Sequence, residues 1–316
     1  MNEKRYNDLY RFLMRRYGQR VEKICLDGGF TCPNRDGTCG RGGCSFCGDA
    51  GSGEFSGHGD VAASVRAFFE AHDAEEKPKA DRFIAYFQSF SGTYAPVDEL
   101  KKKYDAATAD SRVIVLSVGT RPDCVPPAVV DLLKSYKDRL DVWVELGLQT
   151  ADDETARRFN RGYETCVFAD AAKRLADAGI DVIAHIMVGL PGEGHVHIAR
   201  TVDFLNAQPI SGIKIHSLYV MRGTALERDY RAGLYEPITE ETYLAELSYI
   251  IAHLRPDIVV HRVTGDCPHR LHVAPEWSQH KRPVLTAIAR RLEADGVTEG
   301  CLYTERKEDD GTCIPV

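Results

Sequence analysis

Short apolar runs alternate with amphipathic stretches along most of the chain, from residue 21 to about residue 254. Several apolar runs do not alternate strictly, as is usual for strands covered on both faces. They predict six strands, at Val21–Leu26, Phe83–Phe87, Val113–Val118, Val142–Leu148, Asp181–Val188 and Gly212–Tyr219. The amphipathic stretches predict helices at Val61–His72 (with Asp60 as N-cap), Val97–Ala107, Pro127–Tyr136, Ala151–Asn160, Cys166–Ala178, Gly194–Asn206 and Glu240–Leu254. A helix follows every strand, which is typical of a parallel sheet.

This alternation predicts an α/β protein in which six β/α units form a partial barrel over residues 21–255. A basic segment precedes the barrel at residues 1–20, and its apolar positions have the spacing of one helix face: Leu9, Phe12, Leu13 and Tyr17. A short α/β extension follows over residues 256–316, with a strand at Ile258–Val263 and a helix at Val284–Glu293. The predicted architecture is therefore one barrel with a short addition at each end.

Polar and glycine-rich segments stand at the ends of the predicted strands. The segments are Gln88–Thr93 after the second strand, Gly119–Asp123 after the third, Glu145–Gln149 at the fourth, His185–Gly192 at the fifth and Lys214–Tyr219 at the sixth. In parallel α/β proteins the carboxyl ends of the strands carry the active site. The first strand leads into a cysteine-rich loop, which therefore opens on the same face. We expect a single site at this end of the barrel.

Four cysteines lie within sixteen residues of this loop, at Cys32, Cys39, Cys44 and Cys47. So many thiols on a flexible, glycine-rich loop favour metal ligation over core packing. Cys44 and Cys47 have the spacing of a chelating pair, and the third ligand comes from Cys32 or Cys39. A structural zinc site would use all four thiols, whereas a [4Fe–4S] cluster held by three would leave one iron open for chemistry. Phe46 favours the cluster, because an aromatic residue there can pack against a cofactor's adenine, but it could also be a core residue.

Composition and charge limit the class of protein. The chain has 316 residues, of which 43% are hydrophobic, enough for a sizeable core. No apolar run has the length of a membrane span and no signal peptide is recognisable, so a cytoplasmic protein without membrane contact is expected. Ten cysteines then indicate metal or redox chemistry rather than disulfides. A net charge of −7 argues against a general nucleic-acid binder, although positive charge is concentrated in residues 4–23 and 262–282.

The cysteine loop and several later motifs resemble the radical SAM superfamily. The loop follows the first strand and ends in Cys-x-aromatic-Cys, and its spacing, Cys32-x11-Cys44-x2-Cys47, is similar to the branch that contains the Elongator catalytic subunit. Further motifs of that branch occur in the same order, at Thr120–Asp123, Val144–Gln149, Asn160–Gly162, Met187–Gly192, Lys214–Ile215 and Met221–Thr224. The sequence Cys-Pro-Asn-Arg-Asp-Gly-Thr from Cys32 and the segment Ala50–Phe55 are similar to small stand-alone members of the branch, of the MnmL (YtqA) type.

The resemblance implies that Cys32, Cys44 and Cys47 hold a [4Fe–4S] cluster whose open iron binds S-adenosylmethionine. In the superfamily, reductive cleavage of this cofactor gives a 5′-deoxyadenosyl radical, which abstracts a hydrogen atom from the substrate. Cys39 departs from the family pattern and is not expected to be a ligand. The residues implied to contact S-adenosylmethionine are Phe46, Ser89, Thr93, Gln149, Arg161 and His185. On the residues alone, Arg161 could be a surface charge at a helix end, His185 a core histidine and Glu145 a structural support of the barrel mouth.

The implied substrate is the wobble uridine of tRNA. The Elongator subunit carries an acetyltransferase domain after its barrel, which this chain is too short to include. The MnmL-type members imply conversion of 5-carboxymethylaminomethyl(-2-thio)uridine to 5-aminomethyl(-2-thio)uridine. A single-electron donor such as flavodoxin or ferredoxin and a downstream tRNA methyltransferase are the partners implied. Two alternatives stay open: a radical SAM enzyme of the same branch with a different substrate, and a zinc-stabilised RNA-binding module.

The C-terminal segments His261–Arg270 and Ala274–Arg282 also resemble these relatives. They combine basic side chains with the aromatic Trp277, a combination that suits phosphate binding and base stacking. We predict that they form a tRNA-binding surface together with the basic N-terminal segment. Trp277 could instead pack the C-terminal helix onto the barrel.

Overall fold

The computed structural model describes residues 4–51 and 59–305, and its main feature is a curled parallel sheet. The strands are β1 (Val21–Leu26), β2 (Arg82–Phe87), β3 (Val113–Thr120), β4 (Asp141–Gln149), β5 (Asp181–Val188), β6 (Gly212–Ser217), β7 (Val220–Met221), β8 (Val259–Arg262) and β9 (His272–Ala274). Seven of them pair in parallel in the order β1-β2-β3-β4-β5-β6-β8. Lys214 on β6 donates a hydrogen bond to the Tyr86 hydroxyl on β2 at 2.9 Å, across the interior. The sheet is therefore a half-barrel, and the predicted α/β fold class is confirmed.

Helices flank the sheet, most of them on its outer face. They are α1 (Leu9–Tyr17), α2 (Val61–Asp73), α3 (Val97–Ala107), α4 (Pro127–Lys134), α5 (Asp153–Arg158), α6 (Thr165–Asp177), α7 (His195–Asn206), α8 (Ala225–Arg231), α9 (Glu240–His253) and α10 (Lys281–Ala294). Outward-facing strand residues such as Phe83 and Val144 pack against helix residues such as Phe168 and Leu247 in the largest hydrophobic cluster. Asp60 caps α2 as predicted, because its carboxylate accepts the Ala63 N–H at 2.9 Å.

The segment predicted as a C-terminal extension supplies the seventh strand of the barrel sheet. Its strand β8 pairs in parallel with β6, where Gly212 lies opposite Val259. The segment before the barrel reaches the same strand, since the Val260 N–H donates to the Asn7 carbonyl at 2.8 Å. Both additions therefore share the barrel's hydrogen-bonded framework.

The barrel interior has an apolar layer and a polar layer. The inward side chains near the strand starts are apolar: Val21, Ile84, Val115, Trp143 and Ile183. Two residues further along β2 to β5, the inward side chains are Tyr86, Ser117, Glu145 and His185. Because side chains of a strand alternate between its faces, each strand supplies one residue to each layer.

Helix α1 closes the barrel at the apolar layer. Its buried Leu13 belongs to the same cluster as Trp143, and the Phe12 and Trp143 ring centroids lie 6.3 Å apart. Asp8 caps the helix by accepting the Arg11 N–H, and Gly18 ends it in the left-handed conformation, with φ 69°. We call this the closed end of the barrel and the opposite end, at the carboxyl ends of the strands, the open end.

Three short elements were not predicted from the sequence. Strands β7 and β9 form a two-stranded antiparallel pair, and α8 follows β7 directly. The predicted strand Gly212–Tyr219 is shorter than expected, since β6 ends at Ser217 and the next strand begins at Val220. Of the resemblance motif Ala50–Phe55, residues 52–55 lie outside the described residues. No helix in the described part of the chain has the length and hydrophobicity needed to span a bilayer.

Candidate active site

The cysteine loop leaves β1 at the open end and folds by tight turns. The Cys32 carbonyl accepts the N–H groups of Arg35 and Asp36, and the Cys44 carbonyl accepts that of Cys47 at 2.9 Å. The Arg35 guanidinium donates to the carbonyls of Cys47 (2.9 Å) and Gly48 (2.6 Å). The first and last parts of the loop are thereby fixed to each other by a side chain between the cysteines.

The loop is also fixed to the barrel through the motif Asn160–Gly162. Asn160 has a left-handed backbone (φ 59°), and its amide donates to the Gly43 carbonyl at 2.8 Å. Asn34 donates to the Asn160 carbonyl at 2.6 Å. A Cβ at Gly162 (φ 80°) would lie 3.0 Å from the Asn34 Oδ1, so glycine suits this position in both conformation and size. The motif therefore orients the cysteine loop.

Three of the four loop thiols face one cavity of about 370 Å³ at the open end, which we call the active-site cavity. Cys32, Cys44 and Cys47 line it, whereas Cys39 is exposed and lies 3.6 Å from Arg121 Nη2. Burial, with the neighbouring thiols Cys47 and Cys32, raises the pKa of Cys44 to about 12. A thiol with so high a pKa becomes a ligand only when a metal centre replaces its proton.

Thiols such as these can hold either a single zinc ion or an iron–sulfur cluster. Within residues 4–51 and 59–305, no three Cys, His, Asp or Glu side chains converge closely enough to hold a single ion. A tetrahedral zinc site requires such convergence, with sulfurs about 2.3 Å from one centre. In a [4Fe–4S] cluster each thiolate binds a different iron, so the ligands stand further apart. Three thiols that line one cavity without converging on a single centre are compatible with the cluster.

Phe46 and Gln149 also line this cavity, as predicted for cofactor contacts. The Phe46 ring packs against Phe159 with centroids 5.3 Å apart, so it belongs to a hydrophobic cluster as well as to the cavity. Gln149 ends β4 with a left-handed backbone (φ 68°), and its Oε1 is buried without a hydrogen-bond partner among the described residues. An unpartnered buried acceptor at a cavity is a group that a bound ligand can satisfy.

Arg161 borders the cavity, but its guanidinium is used inside the protein. Its N–H groups donate to the carbonyls of Tyr163 (2.9 Å), Leu148 and Thr150 (2.8 Å each), to Asp153 (2.8 Å) and to Thr165 (3.2 Å). These five bonds tie the end of β4 to α6, and the side chain is 1% exposed. To bind a carboxylate, as predicted, Arg161 would have to release one of these partners.

The segment of residues 89–93 contributes to the cavity in its middle. Phe90 and Ser91 line it, whereas Ser89 and Thr93 do not. The Thr93 hydroxyl lies 2.6 Å from that of Thr120 and from the Cys124 carbonyl, so it is engaged within the protein. The predicted segment thus lies at the site, but Phe90 and Ser91 face the cavity in place of the expected Ser89 and Thr93.

The polar layer forms a buried network at the base of the cavity, centred on Glu145. The Glu145 carboxylate accepts hydrogen bonds from Tyr86 and His185 (2.8 Å each), from Ser117 (3.1 Å) and from Lys214, and Lys23 lies 3.7 Å away. Lys214 and Lys23 hold the pKa of this carboxyl well below its usual range although the group is buried. Burial lowers the pKa of His185 to about 4, so the neutral imidazole donates to the carboxylate at neutral pH.

Sequence reasoning missed most of this network. Tyr86, Lys214 and His216 line the active-site cavity together with the predicted His185 and with Arg262. A polar residue in an otherwise apolar strand, such as Tyr86 in β2 or Lys214 in β6, was the available signal. Such residues are rarely buried without a partner, so they indicate an interior polar site.

The structure separates the two basic segments that were predicted to form one tRNA surface. Lys4 and Arg15 border another cavity, which Pro256, just before β8, also lines. Arg16 pairs with Asp141 at the start of β4, so the N-terminal segment lies at the closed end. The C-terminal segment lies at the open end, since its Asp266 lines the active-site cavity. The single combined surface was therefore a wrong prediction.

Trp277 has a packing role in the structure. Its ring lies 5.2 Å from that of Tyr243 on α9, and its indole N–H donates to the Ile238 carbonyl at 3.0 Å. Because both the face and the polar edge of the ring have partners in the protein, the packing alternative is favoured over base stacking.

Comparisons with known proteins agree with this geometry. The family model of the radical SAM superfamily matches residues 36–205, and that of the radical SAM C-terminal domain matches residues 210–294. YtqA of Bacillus subtilis is 38% identical over 307 residues, which are 97% of this chain and 95% of YtqA. The tRNA uridine(34) acetyltransferase of Dehalococcoides mccartyi is 30% identical over 164 residues, 51% of this chain and 35% of that protein.

Among solved structures, the archaeal Elp3 of Methanocaldococcus infernus superposes with a TM-score of 0.69. The alignment covers 89% of this chain at 18% identity and shows a common fold. The chain spans 64% of the length of that structure.

Proposed function

Since the chain belongs to the radical SAM superfamily, we propose that it is a tRNA-modifying member that acts on the wobble uridine. The proposed reaction converts 5-carboxymethylaminomethyl(-2-thio)uridine to 5-aminomethyl(-2-thio)uridine by oxidative removal of the carboxymethyl group. Loss of a hydrogen atom from the carboxymethyl carbon next to the nitrogen, and of one further electron to a one-electron carrier, gives an imine, which water cleaves to the free amine and glyoxylate. The chain is related to Elongator-type and tRNA uridine-modifying enzymes. The observation that carries the proposal is that three thiols, Cys32, Cys44 and Cys47, line one cavity together with a buried polar network.

The family's cofactors, a [4Fe–4S] cluster and S-adenosylmethionine, fit the residues of this cavity. We propose that Cys32, Cys44 and Cys47 hold the cluster and that Phe46 and Gln149 contact S-adenosylmethionine, Gln149 through its unpartnered Oε1. When bound, the two cofactors supply a radical able to abstract a hydrogen atom from carbon. The protein binds and orients the two cofactors and keeps water away from them. Aromatic side chains around the thiols suit this exclusion of water.

The same proposal assigns lesser roles to the remaining predicted contacts. His185 reaches the cavity as a neutral imidazole held by Glu145, so it can orient a ligand without adding charge. Arg161, Ser89 and Thr93 support the site from behind, because their polar groups lie buried beside it.

Exposed cations border the open end and suit an RNA backbone. We call this set the basic rim: Arg41, Arg222, Arg270, Lys281 and Arg282. The Arg222 N–H donates to the Leu271 carbonyl at 2.8 Å, which brings the turn after β7 beside Arg270. Lys281 pairs with Asp266 at the cavity at 2.6 Å. Phosphate contacts require such exposed cations near the reacting base, and a local group of them is compatible with a net charge of −7.

The proposed reaction requires two further proteins. A one-electron donor of the flavodoxin or ferredoxin type must reduce the cluster before S-adenosylmethionine can be cleaved. The aminomethyl product carries a free amine, which is the substrate of a methyltransferase acting downstream.

The test is anaerobic reconstitution with iron and sulfide, followed by dithionite, S-adenosylmethionine and tRNA carrying 5-carboxymethylaminomethyluridine. Mass spectrometry should detect both 5′-deoxyadenosine and 5-aminomethyluridine, and both should be absent with Cys44→Ala. Formation of 5′-deoxyadenosine without a change of nucleoside would reject this substrate while retaining the radical chemistry. A well-formed cluster that cleaves no S-adenosylmethionine would contradict the proposal as a whole.

A further inference from the structure

The charges that line the active-site cavity are paired within the protein, with one exception. The pairs are Arg121 with Asp123 (2.6 Å), Arg161 with Asp153 (2.8 Å), Asp266 with Lys281 (2.6 Å), and Lys214 with Glu145. The exception is Arg262 at the end of β8: within residues 4–51 and 59–305 its guanidinium forms no hydrogen bond or ion pair. A permanently charged guanidinium in a recessed site without a counter-ion calls for an anion from outside.

A β-bulge turns Arg262 into the cavity. Ile213 on β6 pairs with Val260, but the next residue, Lys214, pairs with Arg262, so His261 is an extra residue on β8. Val260 packs in the outer hydrophobic cluster, and strict alternation would send Arg262 to the same outer face. Bulges next to active sites commonly re-aim one side chain. Here the bulge directs a cation inward, beside Lys214.

A second unpartnered group lies next to this cation. The Nε2 of His216 is buried without a hydrogen-bond partner among the described residues, and His216 lines the same cavity. Its ring centroid is 5.2 Å from that of His185. Glu145 cannot neutralise Arg262 as well, because its two oxygens already accept four hydrogen bonds. The region around Arg262, His216 and Lys214 therefore offers donors and net positive charge.

This region lies apart from the thiols. Arg262 acts electrostatically on Cys25, Tyr86, Lys214 and His216, which line the cavity near β1, β2 and β6. The guanidinium with the corresponding effect on Cys44 is that of Arg121, which pairs with Asp123. An anion bound at Arg262 is thus a group of the substrate rather than the methionine carboxylate of a cofactor held at the thiols.

We propose that Arg262 and His216, with Lys214 beside them, form a subsite for the carboxylate of the substrate's substituent. The proposal rests on the proposed function, from which it takes a nucleobase that bears a carboxymethyl group. Arg262 supplies a charge-assisted pair to the carboxylate, and His216 one N–H. A substituent that has lost its carboxymethyl group leaves Arg262 unpaired, so the subsite favours substrate over product.

Binding without turnover tests this subsite. Two anticodon stem-loop RNAs, identical except for a carboxymethylaminomethyl or an aminomethyl group on the wobble uridine, are titrated against reconstituted enzyme with S-adenosylmethionine and no reductant. We expect the wild type to bind the carboxymethyl RNA more tightly by roughly 10- to 100-fold. Arg262→Gln should abolish this preference, and Arg262→Lys should retain part of it because the charge remains.

The matched control is Arg282→Gln in the basic rim, which should weaken both RNAs equally. Three results in Arg262→Gln would overturn the subsite: a preference that persists with both affinities unchanged, a preference that persists while both RNAs lose affinity equally, or a weaker affinity for S-adenosylmethionine alone. The second would assign Arg262 to RNA phosphates and the third to the cofactor. Iron content and near-ultraviolet circular dichroism, matched between variants and wild type, establish that the comparison is made on folded enzyme.

The binding result is independent of the proposed reaction. An Arg262-dependent preference for the carboxymethyl RNA without conversion under reducing conditions would support the subsite and reject the reaction. Conversion without any such preference would reject the subsite and leave the reaction in place.

Discussion

The two ends of the barrel are built from the same strands but differ in chemistry. At the closed end Trp143 and Ile183 face inward and pack against Leu13 of α1. Two residues further along the same strands the inward side chains are Glu145 and His185, which form the base of the active-site cavity. Side chains two positions apart on a strand point to the same face of the sheet, so the two layers differ only in their depth along the barrel.

The comparison shows that the closed end of the sheet contributes mainly to stability, whereas the open end carries the candidate active site. The closed end buries apolar surface, which is favourable and needs no specific partner. The open end buries charges, which are tolerated because Glu145, Lys214 and His185 bind one another. Removing one partner there should therefore cost more than removing an apolar side chain, and changes at the exposed rim should cost little stability.

The largest expected effect lies at the thiols of the open end. Cys44→Ala should lower S-adenosylmethionine cleavage about 1,000-fold or more, because a cluster ligand is lost. Cys39→Ala is the matched control, since Cys39 lies outside the cavity, and it should retain iron and activity. The measurements are iron content and 5′-deoxyadenosine formation. Equal losses in both variants would contradict the assignment of the three ligands.

The next effect is at the centre of the polar layer. Glu145→Gln should reduce the free energy of unfolding by about 3–5 kcal/mol, because Lys214 loses the buried carboxylate that pairs with it. Urea denaturation of the cluster-free protein measures this change. The double variant Glu145→Leu/Lys214→Met removes both charges and should be less destabilised than the single variant. If Glu145→Gln were as stable as the wild type, the ion pair between Glu145 and Lys214 would not contribute to stability.

At the closed end, Leu13→Ala should cost about 2–4 kcal/mol of unfolding free energy through the cavity it leaves. Leu13 is 5% exposed, whereas Leu302 is 57% exposed and provides the same substitution at the surface. Leu302→Ala should change stability by no more than about 0.5 kcal/mol. The turnover number of Leu13→Ala should stay that of the wild type at a temperature where it is folded. A selective loss of turnover would mean that the two ends are coupled.

The same comparison explains which features could be predicted from the sequence. The strand Asp181–Val188 and the helix Val97–Ala107 have the predicted bounds, because hydrophobic pattern and local signals determine them. The interior polar layer could not be predicted, since Glu145 and Lys214 meet across the barrel from positions 69 residues apart. Arg262 depends on a bulge, which is a property of strand pairing and not of β8 alone.

The predicted site residues show the same limit. The family resemblance implied Cys32, Cys44 and Cys47 as the ligands, and the structure brings these three side chains to one cavity. Arg161 was expected to contact S-adenosylmethionine, yet its guanidinium donates hydrogen bonds to carbonyl groups of the protein. A motif states which residue types occur at a site, but the direction of each side chain follows from tertiary contacts.

The polar layer should also make stability depend on pH. Burial lowers the pKa of His185 to about 4, against an ordinary value of about 6.5. As the pH falls, the unfolded chain takes up this proton first, so stability is lost between about 6.5 and 4 and not further below. For His185 alone the loss is at most about 3 kcal/mol. His185→Gln keeps a donor for Glu145 and should reduce the loss, as urea unfolding at pH 7 and pH 4 will measure. Equal losses in variant and wild type would exclude His185 as the source.

The smallest effect is expected at the basic rim. It distinguishes the open end, where we propose that tRNA binds, from the closed end. Lys281→Glu/Arg282→Glu should weaken tRNA binding about tenfold and reduce the slope of log affinity against log salt by roughly 1–2, because phosphate contacts are lost. Lys4→Glu/Arg15→Glu makes the same change of charge at the closed end and should leave both quantities unaltered. If the closed-end variant lost as much affinity as the rim variant, tRNA would be attracted by overall charge, and the open end would have no special place in binding. An unchanged slope in the rim variant would exclude the rim as the tRNA surface.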